Sequence, residues 1–353
     1  MYACIAILLA ASVSPADVTA HGDAILAVQL PGGAIYSAET EGGYRIEPFA
    51  GNIAALGLVE AYRITGEERF NEGAEAWINW WLDHRGPEGG VAVHEGPAGA
   101  YEPVEEDAEP GVSAAAFLAA ANMWRLANAD RAFIIREKPG LWGAYRRILG
   151  TLDYDGLSMV DENAMRKRLR NNAWIYLGLD HARYFADHSR DNNWERRVYD
   201  ARRAMRDAYG DLRGDDHLYP AYRVVREPEG RLASEADREA LRANLSAAAI
   251  GPLRWSQGIR TYQAAREHMP SLAELGPEEL FWVAMAGRRG FSHADARDAM
   301  SLLHAIASDN GSPLERGYAL IAISYVDHKA DAPRRPGLAP RSRFIEPPPR
   351  VRY

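Results

Sequence analysis

The stretch EPFAGNIAALGLVEAYRITGEERFNEGAEAWINWWLDH, residues 47–84, reads as two helices joined by one tight turn. Pro48 opens the first, and Phe49, Ile53, Leu56, Val59 and Ile64 fall near one stripe of a 3.6-residue period. Gly66 ends it, and the second helix starts at once, which makes an αα-hairpin. A hairpin of the same design runs from about Arg166 to Tyr209 and turns at Ser189–Asn192. Further helical patterns lie near 22–30, 111–128, 138–151, 235–248, 252–269, 277–289, 293–308 and 313–328. The predicted total is about twelve helices in six hairpins.

A repeat orders these hairpins. Gly- or Asp-rich turns followed by alternating apolar residues occur at Gly33-Ala34-Ile35-Tyr36, Gly90-Val91-Ala92-Val93 and Gly156-Leu157-Ser158-Met159, and loosely at Asp216-His217-Leu218-Tyr219. They recur about every sixty residues, each after one helix pair and before the next. A helix pair cannot bury its apolar face alone, so the pairs stack, and the strand-like loops crowd at one end. The predicted fold is all-α: an (α/α)6 toroid over residues 17–328 with short β-like loops at one mouth.

The termini differ. MYACIAILLAASVSPA carries an apolar run and a small-residue Ser14-Pro15-Ala16 stretch, and is read as a signal peptide over residues 1–16. Export to the periplasm or medium is expected if it is cleaved, and the cytoplasm otherwise. Residues 329–353 are rich in Pro and Arg without helical period, and are expected to form a disordered tail.

Four quoted stretches together resemble six-hairpin glycosidase-like proteins: ILAVQLPGGAIY (25–36), the 47–84 hairpin, SAAAFLAAANMWRLA (113–127), and DGLSMV (155–160) with NNAWIYLGLDHARYFA (171–186). The resemblance covers roughly residues 22–210. It implies an (α/α) toroid, carbohydrate lying across the loop-bearing mouth, and catalysis by Asp or Glu from loops and helix starts. Departures from the family pattern are Gly32-Gly33 for Asp-Gly, Glu109-Pro110-Gly111-Val112 where Asp is frequent, and Asn171-Asn172 for Asp-Asn.

Glycoside hydrolysis uses two carboxyl groups, one donating a proton and one acting as base or nucleophile. Glu47, the acidic run Glu105, Glu106, Asp107 and Glu109, the pair Asp153 and Asp155, and the pair Asp215 and Asp216 all sit in the strand-like loops or at helix starts. Glu47, Asp107 and Asp155 are the expected catalytic groups, because each belongs to a different repeat. Each also has a plainer reading, as a solvated acid or a carboxylate favoured by a helix N-terminus. Tyr44, Tyr154 and Trp255 are the expected stacking partners of sugar rings, with Asn171, Asn172 and Gln257 as polar contacts. Asn171 and Asn172 are equally suited to capping a helix. Trp80, Trp81, Trp142 and Trp174 fall within helical patterns and are read as core.

Other chemistries find little support. Cys4 is the single cysteine, so neither an internal disulfide nor a multi-cysteine metal site forms. His181 and His188 lack a metal-binding motif spacing, and no phosphate-binding or serine nucleophile motif occurs, so no metal or cofactor is expected. A net charge of −8 disfavours nucleic acid, and no segment has the length of a membrane span. The reading is a carbohydrate-active enzyme of glycoside hydrolase type, or a polysaccharide lyase, acting on an oligo- or polysaccharide. Its alternatives are a catalytically inactive carbohydrate-binding or assembly protein on the same fold and a helical-repeat interaction scaffold.

Overall fold

A computed structural model describes residues 13–153, 156–158, 169–211, 245–246, 248–249, 255–267, 271–288 and 290–327. Among them are twelve α-helices: α1 (Pro15–Leu26), α2 (Pro48–Thr65), α3 (Glu68–His84), α4 (Pro110–Asn128), α5 (Ala132–Arg136), α6 (Lys138–Gly150), α7 (Leu169–Ser189), α8 (Asn192–Asp211), α9 (Trp255–Glu267), α10 (Pro277–Arg288), α11 (His293–Ser308) and α12 (Pro313–Val326). Among the described residues, no helix is long and apolar enough to cross a membrane. The fourth strand-like turn at 216–219, most of the helix expected at 235–248 and the 329–353 tail lie outside the described residues.

The helices divide by burial. α2 and α4 are buried over nearly their whole length, as is the Leu280–Ala286 stretch of α10 and the Tyr318–Ile323 stretch of α12. A helix apolar on every side belongs inside a ring of others, whereas α3 and α8 keep polar outer faces. The buried helices form a closed circuit. α2 packs on α4, α4 on α7, α10 on α12, and α12 returns to α2. Trp174 of α7 stacks on Phe281 of α10 with ring centroids 5.7 Å apart, which joins α7 to α10. The architecture is the expected all-α toroid.

Two small residues allow the first and last inner helices to close the ring. A Cβ on Gly57 of α2 would stand 2.8 Å from the Gly317 Cα, and one on Gly317 of α12 would stand 2.5 Å from the Ile53 carbonyl oxygen. Deeper along the same seam the fully buried Glu60 carboxylate accepts from Arg63 at 2.6 Å and from the Ser324 hydroxyl of α12.

The glycines of the repeat have a shared physical cause. Gly33, Gly89 (just before the Gly90 of the repeat) and Gly156 carry positive φ, at 99°, 85° and 80°. At each, a Cβ would strike backbone of the next outer helix: the Ala76 carbonyl of α3, the Gly143 carbonyl of α6, and Ala204 of α8. Each loop thus turns in the left-handed region while lying flat on the following hairpin, which only glycine permits without strain.

These turns lie at one end of the helices. Two of them continue into an antiparallel sheet of order β1-β2-β3-β4: β1 (Ala38–Thr40), β2 (Gly43–Ile46), β3 (Val93–Gly96) and β4 (Glu102–Glu105). The first and second loops are thereby hydrogen-bonded to one another, with Arg45 opposite Glu95. The third turn closes by a bridge between Leu152 and Ser158. Thr151, just before it, lies where a Cβ on Gly111 at the start of α4 would fall.

The first helix begins earlier than the expected 22–30, at Pro15. Ser14 caps it, and a reciprocal capping box with Asp17 closes its first turn. The buried Val13 donates its amide to Asp327 at 3.3 Å. Residues 1–12 lie outside the described residues.

Candidate active site at the loop-bearing mouth

The N-terminal turns of the inner helices meet beneath the loops. Proline at the first helical position fixes where α2, α4, α10 and α12 start, at Pro48, Pro110, Pro277 and Pro313. Glu47 and Glu109 immediately precede two of these prolines, and Glu278 follows a third. The sequence therefore sets carboxylates on helix N-termini, where the partial positive charge of the unpaired amides favours them.

Glu109 faces α7. The Asn171 side-chain amide donates to its Oε1 at 2.9 Å. Asp107, two residues earlier, accepts from the Glu109 amide at 2.9 Å. Burial raises the Asp107 pKa, with Glu109 nearby adding to the rise, against the lowering effects of the Ser113 hydroxyl, the Glu109 amide and Arg147. Here desolvation outweighs the hydrogen bonds, the result expected for a proton-holding carboxyl.

One turn along α7 from Asn171, Trp174 is fully buried in an aromatic layer beneath the mouth. Phe49 of α2 meets it edge-on at 5.5 Å, and Trp282 of α10 lies 4.9 Å away. The indole N–H groups of Trp174 and Trp282 both point to Glu278 Oε1, at 3.4 and 3.3 Å. Phe281 continues the apolar layer to Tyr318 of α12 at 4.8 Å. Glu109 and Glu278 thus attach near the start of α7, one turn apart, through residues whose Cβ atoms lie ~5–6 Å apart on a helix. Half-buried carboxyls set against a buried aromatic layer are suited to proton transfer.

Comparison with known proteins bears on the fold. No family model and no curated protein matches the sequence. Solved structures do match: a wild-type glycosidase at 12% identity and TM-score 0.53, covering 88% of this chain and 96% of its own. An alpha-amylase from Clostridium perfringens matches at 12% identity and TM-score 0.52, covering 88% of this chain and 98% of its own. An unsaturated glucuronyl hydrolase specific for heparin matches at 9% identity and TM-score 0.54, covering 89% of this chain and 95% of its own. The chain has the six-hairpin glycosidase fold. Another glycosidase structure similar to this toroid is a complex with glucose.

The expected site residues divide accordingly. Asp107 and Asn171 lie together at the toroid mouth with Glu109. Asn172 is buried and braces the third turn, accepting from the Ser158 amide at 2.7 Å and donating to its carbonyl at 3.3 Å. Its geometry is that of a loop brace. Glu47 is exposed and pairs with Arg45 at 3.2 Å. Arg45 also reaches Glu105, and Glu95 at 3.9 Å, so Glu47 belongs to an ion-pair group on the sheet. Tyr44 lies on β2, half-buried against Tyr36 at 4.7 Å. Tyr154 and Asp155 lie outside the described residues, as do the side chains of Trp255 and Gln257, whose backbone opens α9. Sequence reasoning weighed Glu109 without selecting it and missed Glu278. The shared signal was a glutamate beside the proline that starts an inner helix.

Proposed function

We propose that this toroid is a glycoside hydrolase that holds an oligo- or polysaccharide across the loop-bearing mouth and cleaves it by carboxylate acid–base catalysis. The observation that carries the reading is the Asp107–Glu109–Asn171 group, a half-buried carboxyl whose pKa burial raises, beside a second carboxylate at the start of α4. In this scheme Asp107 or Glu109 protonates the departing glycosidic oxygen, and Glu278, across the same helical turn, serves as base or nucleophile. Tyr44 on the sheet, with Tyr154 and Trp255, would extend the stacking surface.

The test is reducing-end release from a broad panel of oligosaccharides by wild type and by Asp107→Asn, Glu109→Gln and Glu278→Gln. Loss of turnover by orders of magnitude in at least two variants, with unchanged circular dichroism, supports the scheme. Near-wild-type rates in all three reject it.

A second reading has one observation in its favour. Asn171 stands where the resembling family often carries a carboxylate, and its amide is committed to Glu109. A carbohydrate-binding protein without turnover would bind panel members calorimetrically and release no reducing ends.

A further inference from the structure

On the far flank of the ring, His21 of α1 and His304 of α11 meet through His21 Nε2 and His304 Nδ1 at 2.8 Å, with their rings edge-on at 5.1 Å. His21 is 2% exposed, and its other nitrogen, Nδ1, is buried without a partner among the described residues. That arrangement admits one proton between the rings. A second proton on His21 puts an N–H on the buried Nδ1, where no acceptor stands. A proton on His304 Nδ1 forces His21 to accept at Nε2, which moves its own hydrogen to the same orphaned Nδ1. Either way a buried donor is left unsatisfied.

We propose that the His21–His304 contact is a proton-released latch, which holds the N-terminal helix α1 on the toroid at neutral pH and lets it go in acid. Besides its packing on α2, α3 and α12, α1 is held by polar contacts near its surface: Val13 to Asp327 at 3.3 Å, Thr19 to Glu67 at 2.7 Å and Asp23 to Arg69 at 3.0 Å. The charged groups facing His21 are Asp17 on α1, His304 on α11 and Arg316 on α12. Asp17 favours the proton, but it is already bonded to Ser14 in the capping box, and Arg316 and a charged His304 oppose it. Burial, the largest effect, acts with them against Asp17 and lowers the His21 pKa to about 4. α1 is not a member of the α2–α4–α7–α10–α12 circuit, so its release leaves that ring intact.

Hydrogen exchange of the full chain at pH 7.5 and pH 4.5, corrected for intrinsic rates, tests the latch. In wild type, α1 peptides are expected to lose about tenfold or more protection relative to α4 peptides at pH 4.5. In His21→Gln, whose amide bonds His304 in either protonation state, that relative loss disappears. Should the variant fail to fold, an NMR titration of wild type decides: α1 release must coincide with proton uptake at His21. Unchanged α1 protection at pH 4.5, simultaneous loss across α1 and α4, or release uncoupled from His21 overturns the proposal.

Discussion

Asn171, at the start of α7, donates to Glu109, at the start of α4, over 2.9 Å, and so ties two inner helices together at the mouth. The contact makes Asn171 a gauge of the electrostatics around Glu109. Asn171→Asp replaces a donor by a like charge, which raises the apparent pKa of one member of the new pair. The alkaline limb of the activity–pH profile is expected to move up by about one unit, with stability lower by ~1–3 kcal/mol near neutral pH. An unmoved limb in the pH–rate profile would detach Asn171 from the reacting groups.

Asp107 sets activity against stability. Its folded pKa is raised chiefly by burial, so the folded state binds more protons than the unfolded chain above the ordinary aspartate value. The group therefore weakens the fold as pH rises from about 4 through its raised folded pKa. Asp107→Asn keeps the shape and removes the charge. Denaturant unfolding at pH 7 is expected to show the variant as stable as wild type or more so, while turnover falls. A large destabilisation would mean the carboxylate is a structural cap for α4.

Ring closure rests on the Gly57–Gly317 approach. Gly317→Ala puts a methyl 2.5 Å from the Ile53 carbonyl oxygen, which is backbone and cannot swing aside. Overpacking of this kind costs ~1–3 kcal/mol. Urea unfolding should show that loss, whereas Gly290→Ala, at a turn with nothing nearby but positive φ, costs only the backbone strain, ~1 kcal/mol. Equal effects at the two positions would show that close approach is not what demands glycine at 317.

The N-terminus carries a prediction of its own. Export with cleavage after Ala16, the reading proposed for the apolar leader, gives a mature chain starting at Asp17. It also removes the Ser14 cap from α1, at ~0.5–2 kcal/mol. Mass spectrometry of protein from its native host decides the matter. An intact Met1 or Tyr2 terminus contradicts export by this route.

The helices and loop turns were legible because their causes are local. A 3.6-residue stripe, a proline at a helix start and a glycine forced by positive φ all write themselves into short windows, as at Pro48 and Gly33. The sheet was not read, because its strands of three and four residues lack a sustained alternation and its central β2–β3 pairing spans about fifty residues of sequence. The candidate site was half legible for a similar reason. Asp107 stands in the acidic run and Asn171 in a quoted motif, but the meeting of Asn171 with Glu109 and the reach of Trp174 to Glu278 join helices far apart in the chain. Glu47 looked equivalent to Glu109 from its Glu-Pro setting, yet a neighbouring arginine on β2 draws it onto the sheet.

The most direct test of the account is the structure of the Asp107→Asn, Glu109→Gln double variant with an oligosaccharide that wild type cleaves. The expected result is a sugar at the mouth beside the start of α4, with the scissile oxygen within about 3 Å of the residue 107 or 109 side chain. A ligand bound elsewhere on the toroid, with the mouth empty, would contradict it.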